Sequence, residues 1–423
     1  MSYSAFAKKT IYKRIGDFIQ LVDIRNKGLK VQNLLGLSIS KKFIPSVANI
    51  IGTDMENYKI ILKNQFACST MQVRRDKKMP IALLKEVNEA IISQAYPVFE
   101  VVDSSMLDPE YLMMWFSREE FDREACFHAV GGVRGSLEWE DFCDMKLPVP
   151  SIQKQREIVK EYNVIQDRIQ LNNQIIKKLE ETAQTIYKRW FVEFEFPDEE
   201  GKPYRSSGGK MVWCEELRKD IPEKWEIKHF HQIIEYFISK RGKSKSILNL
   251  QNYSEEFKYP VISAMNINNG KIVKHDTIPY VNKINYNSWM NPELAVDDVI
   301  LTSEAPLGET YYLAINSRIA LSQRLFAIRT KKQIISGWYL HLWLNTPLAK
   351  QELEGRSSGT TVFGIKLSEL KKVAILIPIR NIEENFTNKT IAIAKMNETK
   401  SSQNQKLNDF KTFLLSDLTK LEN

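Results

Sequence analysis

The chain has 423 residues, 43% of them hydrophobic, with a net charge of +8 and a pI near 9.0. That length suggests two to four domains, and the excess of cations is a mild pointer to a polyanionic partner. No run of about 18 apolar residues is present to span a membrane, and MSYSAFAKKTIYKRIGDF lacks the apolar core of a secretory signal. Cys68, Cys126, Cys143 and Cys214 are scattered, with neither a C-x-x-C pair nor a disulfide framework, which fits a reducing cytoplasm.

Charge is segregated along the first 146 residues. Residues 1–85 carry 16 Lys/Arg against 5 Asp/Glu, and residues 86–146 carry 4 against 14. The same region reads as short β-rich runs, such as NYKIILKNQFACSTMQV (57–73) and YPVFEVV (96–102), followed by a helical PEYLMMWFSREEFDREA. Candidate phosphate contacts here are Lys41, Lys42 and the RRDKK run with Arg74, Arg75, Lys77 and Lys78, together with Arg134 in AVGGVRGSL. Lys and Arg neutralise phosphates, and Arg also reads guanine through two parallel bonds.

KLPVPSIQKQREIV (146–159) then switches abruptly to a long helix. Pro148 and Pro150 end the preceding strand, because proline lacks the ladder N–H and disfavours helix before it, and Ser151 is a candidate N-cap. Ile158, Tyr162, Ile165, Ile169, Asn172, Ile176, Leu179, Ala183, Ile186 and Trp190 alternate spacings of four and three. That is a heptad seam, interrupted by the polar Asn172 where register and partner number are commonly set.

The second half repeats this plan. Strand-like runs KYPVISAMNI (258–267), DVILTSEA (298–305) and RLFAIRT (324–330) precede a helical SGWYLHLWLNTPLAKQEL. The basic SKRGKSK (239–245) offers Lys240, Arg241, Lys243 and Lys245, and GRSSGTTVFGIK (355–366) offers Arg356, Thr360, Thr361 and Lys366. A weaker seam follows at an offset of 231: Lys389, Ile393, Met396, Lys400, Gln403, Leu407, Phe410, Leu414, Asp417 and Leu421, with Leu418 able to replace Asp417 by a shift of register. Asn381 is a candidate cap for this helix.

Ordered matches link the two halves. RIGDFIQL aligns with HFHQIIEY, Ser93-Gln94 with Ser322-Gln323, and Tyr111, Leu112 and Trp115 with Tyr339, Leu340 and Trp343. Leu137/Leu367, Pro148/Pro378 and Ile152/Ile382 continue the series. Neither long helix can bury its stripe alone, and about 33 residues make a rod of roughly 50 Å. The expected fold is α+β: two mixed α/β globules separated by an antiparallel pair of long helices, a coiled coil with a pseudo-twofold internal repeat. Two such globules would meet two different half-sites about fifteen base pairs apart, at ~3.4 Å per pair.

Catalytic signatures are missing from the sequence. There is no phosphate-loop motif, no G-x-G-x-x-G and no Asp/Asn-Pro-Pro-aromatic tetrapeptide, and His229-x-His231 is the sole close histidine pair, without a third ligand. The order LPVPSIQKQREIV…LNNQIIKKLEETAQTIYKRWF, globule, PIRNIEENF…KLNDFKTFLLSDL resembles the specificity subunit of bacterial type I restriction–modification systems. IPEKWEIKHF (221–230) looks like the start of a second target-recognition domain. PIRNIEEN departs from the pattern, with Arg380 where proline often stands and Asn385 where glutamine is usual.

The resemblance implies target-recognition domains at 1–147 and 221–377, spacer helices at 148–196 and 378–423, and a connector at 197–220. It implies a non-catalytic cytoplasmic, nucleoid-associated protein that binds double-stranded DNA and two methyltransferase subunits. Two ATP-dependent restriction subunits are a further expected partner. This chain itself would hold no cofactor and no metal; S-adenosylmethionine, ATP and Mg are expected in the partner subunits. The alternatives are a stand-alone DNA-modifying enzyme with a divergent active site and a protein-only coiled-coil adaptor.

Overall fold

The computed structural model describes residues 12–46, 54–132, 135–243, 248–359 and 363–420. The chain divides into two compact units, Met1–Gln170 with Gln405–Asn423, and Leu171–Asn404. Among the described residues no helix is long and apolar enough to cross a membrane.

The first unit is built on a four-stranded antiparallel sheet in the order Ile19–Val22, Val98–Val101, Phe66–Cys68, Ile81–Leu83. Its strands read as short apolar runs because they are covered: Phe66, Cys68 and Phe99 are fully buried. Helices Pro109–Phe116, Glu119–His128 and Trp139–Asp144 supply the cover. Phe66 stacks on Phe99 at 4.9 Å, and Phe116, Phe121 and Phe142 close around them. Burying each such ring contributes about 1.5–3 kcal/mol. A second layer pairs Lys59–Leu62 with Ile24–Arg25 and Glu89–Ile92.

The second unit repeats the main sheet in the same spatial order: Ile234–Ser239, Leu325–Thr330, Val299–Thr302, Thr310–Tyr312. Helices Gly337–Leu344, Pro347–Gly355 and Leu367–Leu370 cover it. Gly337 has no room for a side chain, since a Cβ would lie 1.8 Å from the Asp297 carbonyl oxygen. The Asp297 carboxylate accepts from Gly337 N at 2.9 Å and so caps that helix. The second layer differs from that of the first unit: Phe257–Ile262 pairs antiparallel with Tyr280–Asn282 but parallel with Ala320–Leu321. The segment expected to be a connector is ordered, with Met211–Cys214 paired to Lys219–Pro222 and Phe196 stacked between Tyr204 and Trp225.

Hydrogen bonds fix which residues of the two copies correspond. Tyr111 OH donates to Pro148 O at 3.0 Å, and Tyr339 OH donates to Leu376 O at 2.8 Å. Leu137 N bonds Thr70 O, and Ile365 N bonds Ser303 O. The counterpart of Leu137 is therefore Ile365 rather than Leu367, and Pro378 matches Pro150 rather than Pro148. One offset of 228 holds from Tyr111 through the start of the long helix. Identical letters and backbone partners of the two copies differ by two residues along this stretch.

The long helices are Ile152–Phe191 and Arg380–Asp417. Ser151 caps the first, its Oγ accepting from Lys154 N at 3.4 Å. Ile379 stands at the same place before the second, its carbonyl accepting from Ile382 N, and Asn381 lies inside the helix, exposed. Within each unit the helices run antiparallel. In the first, Lys411 donates to Gln166 while Val159 and Leu418 share one core. In the second, Asn172 contacts Asn404 and Phe386 packs on Trp190 and Phe191.

The first seam lies on the packed face. Ile165, Asn172, Ile176, Ala183 and Trp190 are buried, and Ile158, Tyr162, Ile169, Leu179 and Ile186 are half-buried. The second seam requires correction. Met396, Gln403 and Phe410 are exposed, and the inward positions fall one residue later, at Thr390, Ala394, Asn404, Lys411 and Leu418. Ile393, Leu407 and Leu414 are half-buried on the flank. The physical reason is polar pairing: Asn172 Nδ2 donates to Asn404 Oδ1 at 2.9 Å, and Asn404 Nδ2 donates to Asn173 Oδ1 at 2.9 Å. A buried amide pair outweighs the placement of Met396 and Phe410.

Candidate nucleic-acid interface

Each unit carries a turn and a hairpin clasped at the end of its main sheet. In the first, the bond between Leu137 N and Thr70 O sets the basic turn 70–78 beside a hairpin closed by the Val130–Ser136 bridge. Arg74 donates to Gly131 O at 2.9 Å and to Ala129 O at 2.6 Å. Its guanidinium therefore holds the hairpin in place and is not a free phosphate contact. Arg75 lies beside Asp76 at 2.7 Å and holds that carboxyl below its usual range. Lys77 and Lys78 are exposed on the same turn, with Lys77 in a left-handed conformation at φ 52°.

Lys41 is a second correction. Its side chain is 9% exposed and sits 2.8 Å from Asp122 and 5.2 Å from the Phe121 ring centre. Burial pushes its ammonium pKa down while Asp122 pulls it back. Lysine here locks the loop onto the helix Glu119–His128. Lys42 is exposed and lines, with Lys78, Lys85 and Lys411, a cleft of about 830 Å3. Glu110, Glu119, Glu120 and Asp167 share its walls, so the cleft is of mixed charge rather than a phosphate groove.

In the second unit, Ile365 N bonds Ser303 O at 2.9 Å, and the hairpin is closed by the Ser358–Gly364 bridge. Lys240 is 2% exposed beneath the loop, its ammonium 5.9 Å from the Trp289 ring, so it supports the loop rather than reaching outward. Arg241 and Lys243 are exposed. Arg356 pairs with Glu352 one turn earlier at 3.0 Å, and Lys366 is exposed just before the helix Leu367–Leu370. Arg134, Lys245, Thr360 and Thr361 lie outside the described residues.

Sequence reasoning passed over four residues at these faces. Arg324 and Glu304 pair at 2.9 Å in the second unit, and Arg241 stands 3.8 Å from the same carboxylate. The match of Gln94 with Gln323 ended one residue short of Arg324. Phe127 is 81% exposed one turn before the first hairpin, and Phe363 is 60% exposed in the second. Exposed rings at such faces can make apolar contact with a thymine methyl in the major groove of a duplex. His229 and His231 lie against the carbonyls of Lys372 and Lys371, and among the described residues no His, Cys, Asp and Glu group could hold a metal ion.

The duplicated frame corresponds to a known family. The type I restriction modification DNA specificity domain matches residues 13–181 and again residues 222–394. The chain belongs to that family. Among curated relatives, the type I restriction enzyme HindI specificity subunit of Haemophilus influenzae is 19% identical over 89% of this chain and 90% of its own length. The MjaIX specificity subunit of Methanocaldococcus jannaschii is 22% identical over 66% of this chain, which spans 60% of that relative. The fold matches the crystal structure of a type I restriction–modification S subunit from M. genitalium, with a TM-score of 0.56 at 14% identity over 99% of this chain and 98% of that one.

The two specificity domains share the clasp but not its side chains. Thr70 and Ser303 receive equivalent bonds, yet the next residue is Met71 in one and Glu304 in the other. The long-helix starts also differ. Gln155, fully buried, accepts from Asp108 N at 2.8 Å and donates to Met106 O and Pro150 O. Its counterpart at the offset of 228 is Glu383, also fully buried, which accepts from Ser336 N at 3.1 Å and from Arg380 at 2.5 Å. Glutamine's structural equivalent is thus Glu383 and not Asn385, and Arg380 neutralises it.

Proposed function

We propose that this chain is the DNA sequence-specificity subunit of a type I restriction–modification complex. Each unit reads one half of a bipartite duplex target, and the helical pair acts as ruler and docking surface for two methyltransferase subunits. The observation that carries the reading is a repeated sheet-and-helix frame whose clasped basic faces differ in their side chains. Equal frames present two readers in equivalent ways, and unequal side chains give them different targets. The chain contributes recognition and no catalytic residue. S-adenosylmethionine would be held by the methyltransferase subunits, and ATP and Mg by restriction subunits where these join. The protein would work on the cellular DNA, at the nucleoid.

The test is co-expression with the methyltransferase chain encoded beside it, identifiable by an Asn-Pro-Pro-aromatic motif. The purified complex should methylate duplex DNA with S-adenosylmethionine and the lone chain should not. Methylation by the lone chain would favour a stand-alone modifying enzyme. Absence of duplex binding even with the partner present would favour a protein-only adaptor.

A further inference from the structure

We infer that the Glu304–Arg324 pair is the base-reading element of the second unit, and that its replacement by Met71 and Ala95 in the first makes the two halves of the target chemically different. This rests on the reading of the chain as a DNA-specificity subunit. The pair stands where three separate stretches meet. Ser303 N bonds Arg324 O at 3.0 Å, Ile365 N bonds Ser303 O at 2.9 Å, and Glu304 bridges Gly364 of the hairpin. A Cβ on Gly364 would lie 3.0 Å from the Glu304 carboxylate, so glycine gives the acid room against the hairpin.

The charges are arranged for reading rather than for phosphate binding. Glu304 is 23% exposed and engages the Nε of Arg324 at 2.9 Å, with Arg241 at 3.8 Å on its other oxygen. Arg324 and Arg241 are themselves 58% and 51% exposed. An isolated carboxylate would be repelled by the DNA backbone, but flanked by two guanidiniums it can approach a groove. Pairing through Nε leaves the two Nη groups of Arg324 as the fork that matches guanine O6 and N7, and a carboxylate accepts from cytosine N4. Two chain positions thus supply complementary readers for a G·C step.

The first unit keeps one bond of this junction, Leu137 N to Thr70 O, and carries no charge at the matched positions. Met71, 46% exposed, follows Thr70, and Ala95, also exposed, follows the Ser93-Gln94 match. Those side chains offer apolar contact, which suits a thymine methyl and not a guanine edge.

The test uses the full chain co-expressed with its methyltransferase partner, carrying Glu304→Gln or Arg324→Gln, with methylated sites mapped across the host genome. A wild-type complex that methylates no split motif would sink the functional reading itself. With a split wild-type motif in hand, the variants should lose discrimination at one or two positions of one half-motif by roughly tenfold or more. The other half and the gap should be unchanged. An unaltered motif, or a change in both halves, overturns the inference. Where a variant methylates too little to map, purified complexes are compared for binding to target and random duplex. A tenfold fall in that ratio with random-duplex binding retained supports base reading, and a proportional loss of both overturns it.

Discussion

The buried carboxylate of Glu383 gives a prediction that can be worked through in energy. It accepts from Ser336 N, from Ser336 Oγ at 2.5 Å, from Thr387 Oγ1 at 2.8 Å and from Arg380 Nη1 at 2.5 Å, and it is fully buried. In the first unit the same station holds neutral Gln155 with Ile152 where Arg380 stands. Removing one partner of a buried ion pair costs about 3–5 kcal/mol because the other charge is stranded. Arg380 is 37% exposed, so water replaces part of what it supplies, and Arg380→Ile should cost nearer 1–3 kcal/mol. Glu383→Gln alone should also destabilise, because an amide N–H then faces the arginine.

Combined, the two changes recreate the first unit's arrangement. The glutamine amide would meet the carbonyls of Ile334 and Pro378, the counterparts of the two that Gln155 uses. The double variant should therefore be more stable than the sum of the singles predicts, with a coupling of about 1–3 kcal/mol. Urea denaturation of the full chain, followed by its intrinsic tryptophan fluorescence, measures the cycle. Singles that add within about 0.5 kcal/mol would refute the claim that Arg380 and Glu383 form one replacement for glutamine.

Four further outcomes follow from the same geometry. Asn404→Ala should destabilise by about 1–3 kcal/mol by stranding the buried Asn172 amide, while Leu at both positions should recover stability, as urea midpoints will show. Burial pushes His341 down from 6.5 to about 3, so below pH 6.5 the unfolded chain takes a proton that the native state refuses. Stability should fall as pH drops from 6.5 toward 3, by up to about 1.4 kcal/mol per unit from this group, and His341→Met, the residue at the equivalent Met113, should flatten that slope. Gly337→Ala should lower the thermal midpoint of the second unit sharply, because the Asp297 carbonyl occupies the space of its Cβ. Lys366→Ala should weaken duplex binding evenly across sequences and reduce the salt slope by about 1, the mark of a phosphate contact.

The repeat, the helical stretches, the proline-marked junction and the first seam were legible because each rests on local chemistry. Periodicity places Ile165, Ile176 and Trp190 inward whatever they pack against. The second seam was not legible, because its register depends on Asn404 meeting Asn172, a partner 232 residues away. The basic loops could be found by composition, but composition cannot tell Lys42, which is exposed, from Lys41, which is held by Asp122. Arg74 was misread for the same reason: its carbonyl partners at Ala129 and Gly131 come from a hairpin over fifty residues on. Glu304 escaped notice because an acid in a basic face looks adverse until the arginines beside it are seen.

The most direct test of the central claim is the map of methylated bases made by the wild-type chain with its methyltransferase partner in a host lacking other methylation. Two distinct short half-motifs separated by a fixed unread gap are predicted, one of them containing a G·C step that depends on Arg324. A single continuous motif, or methylation that ignores sequence, would contradict the account.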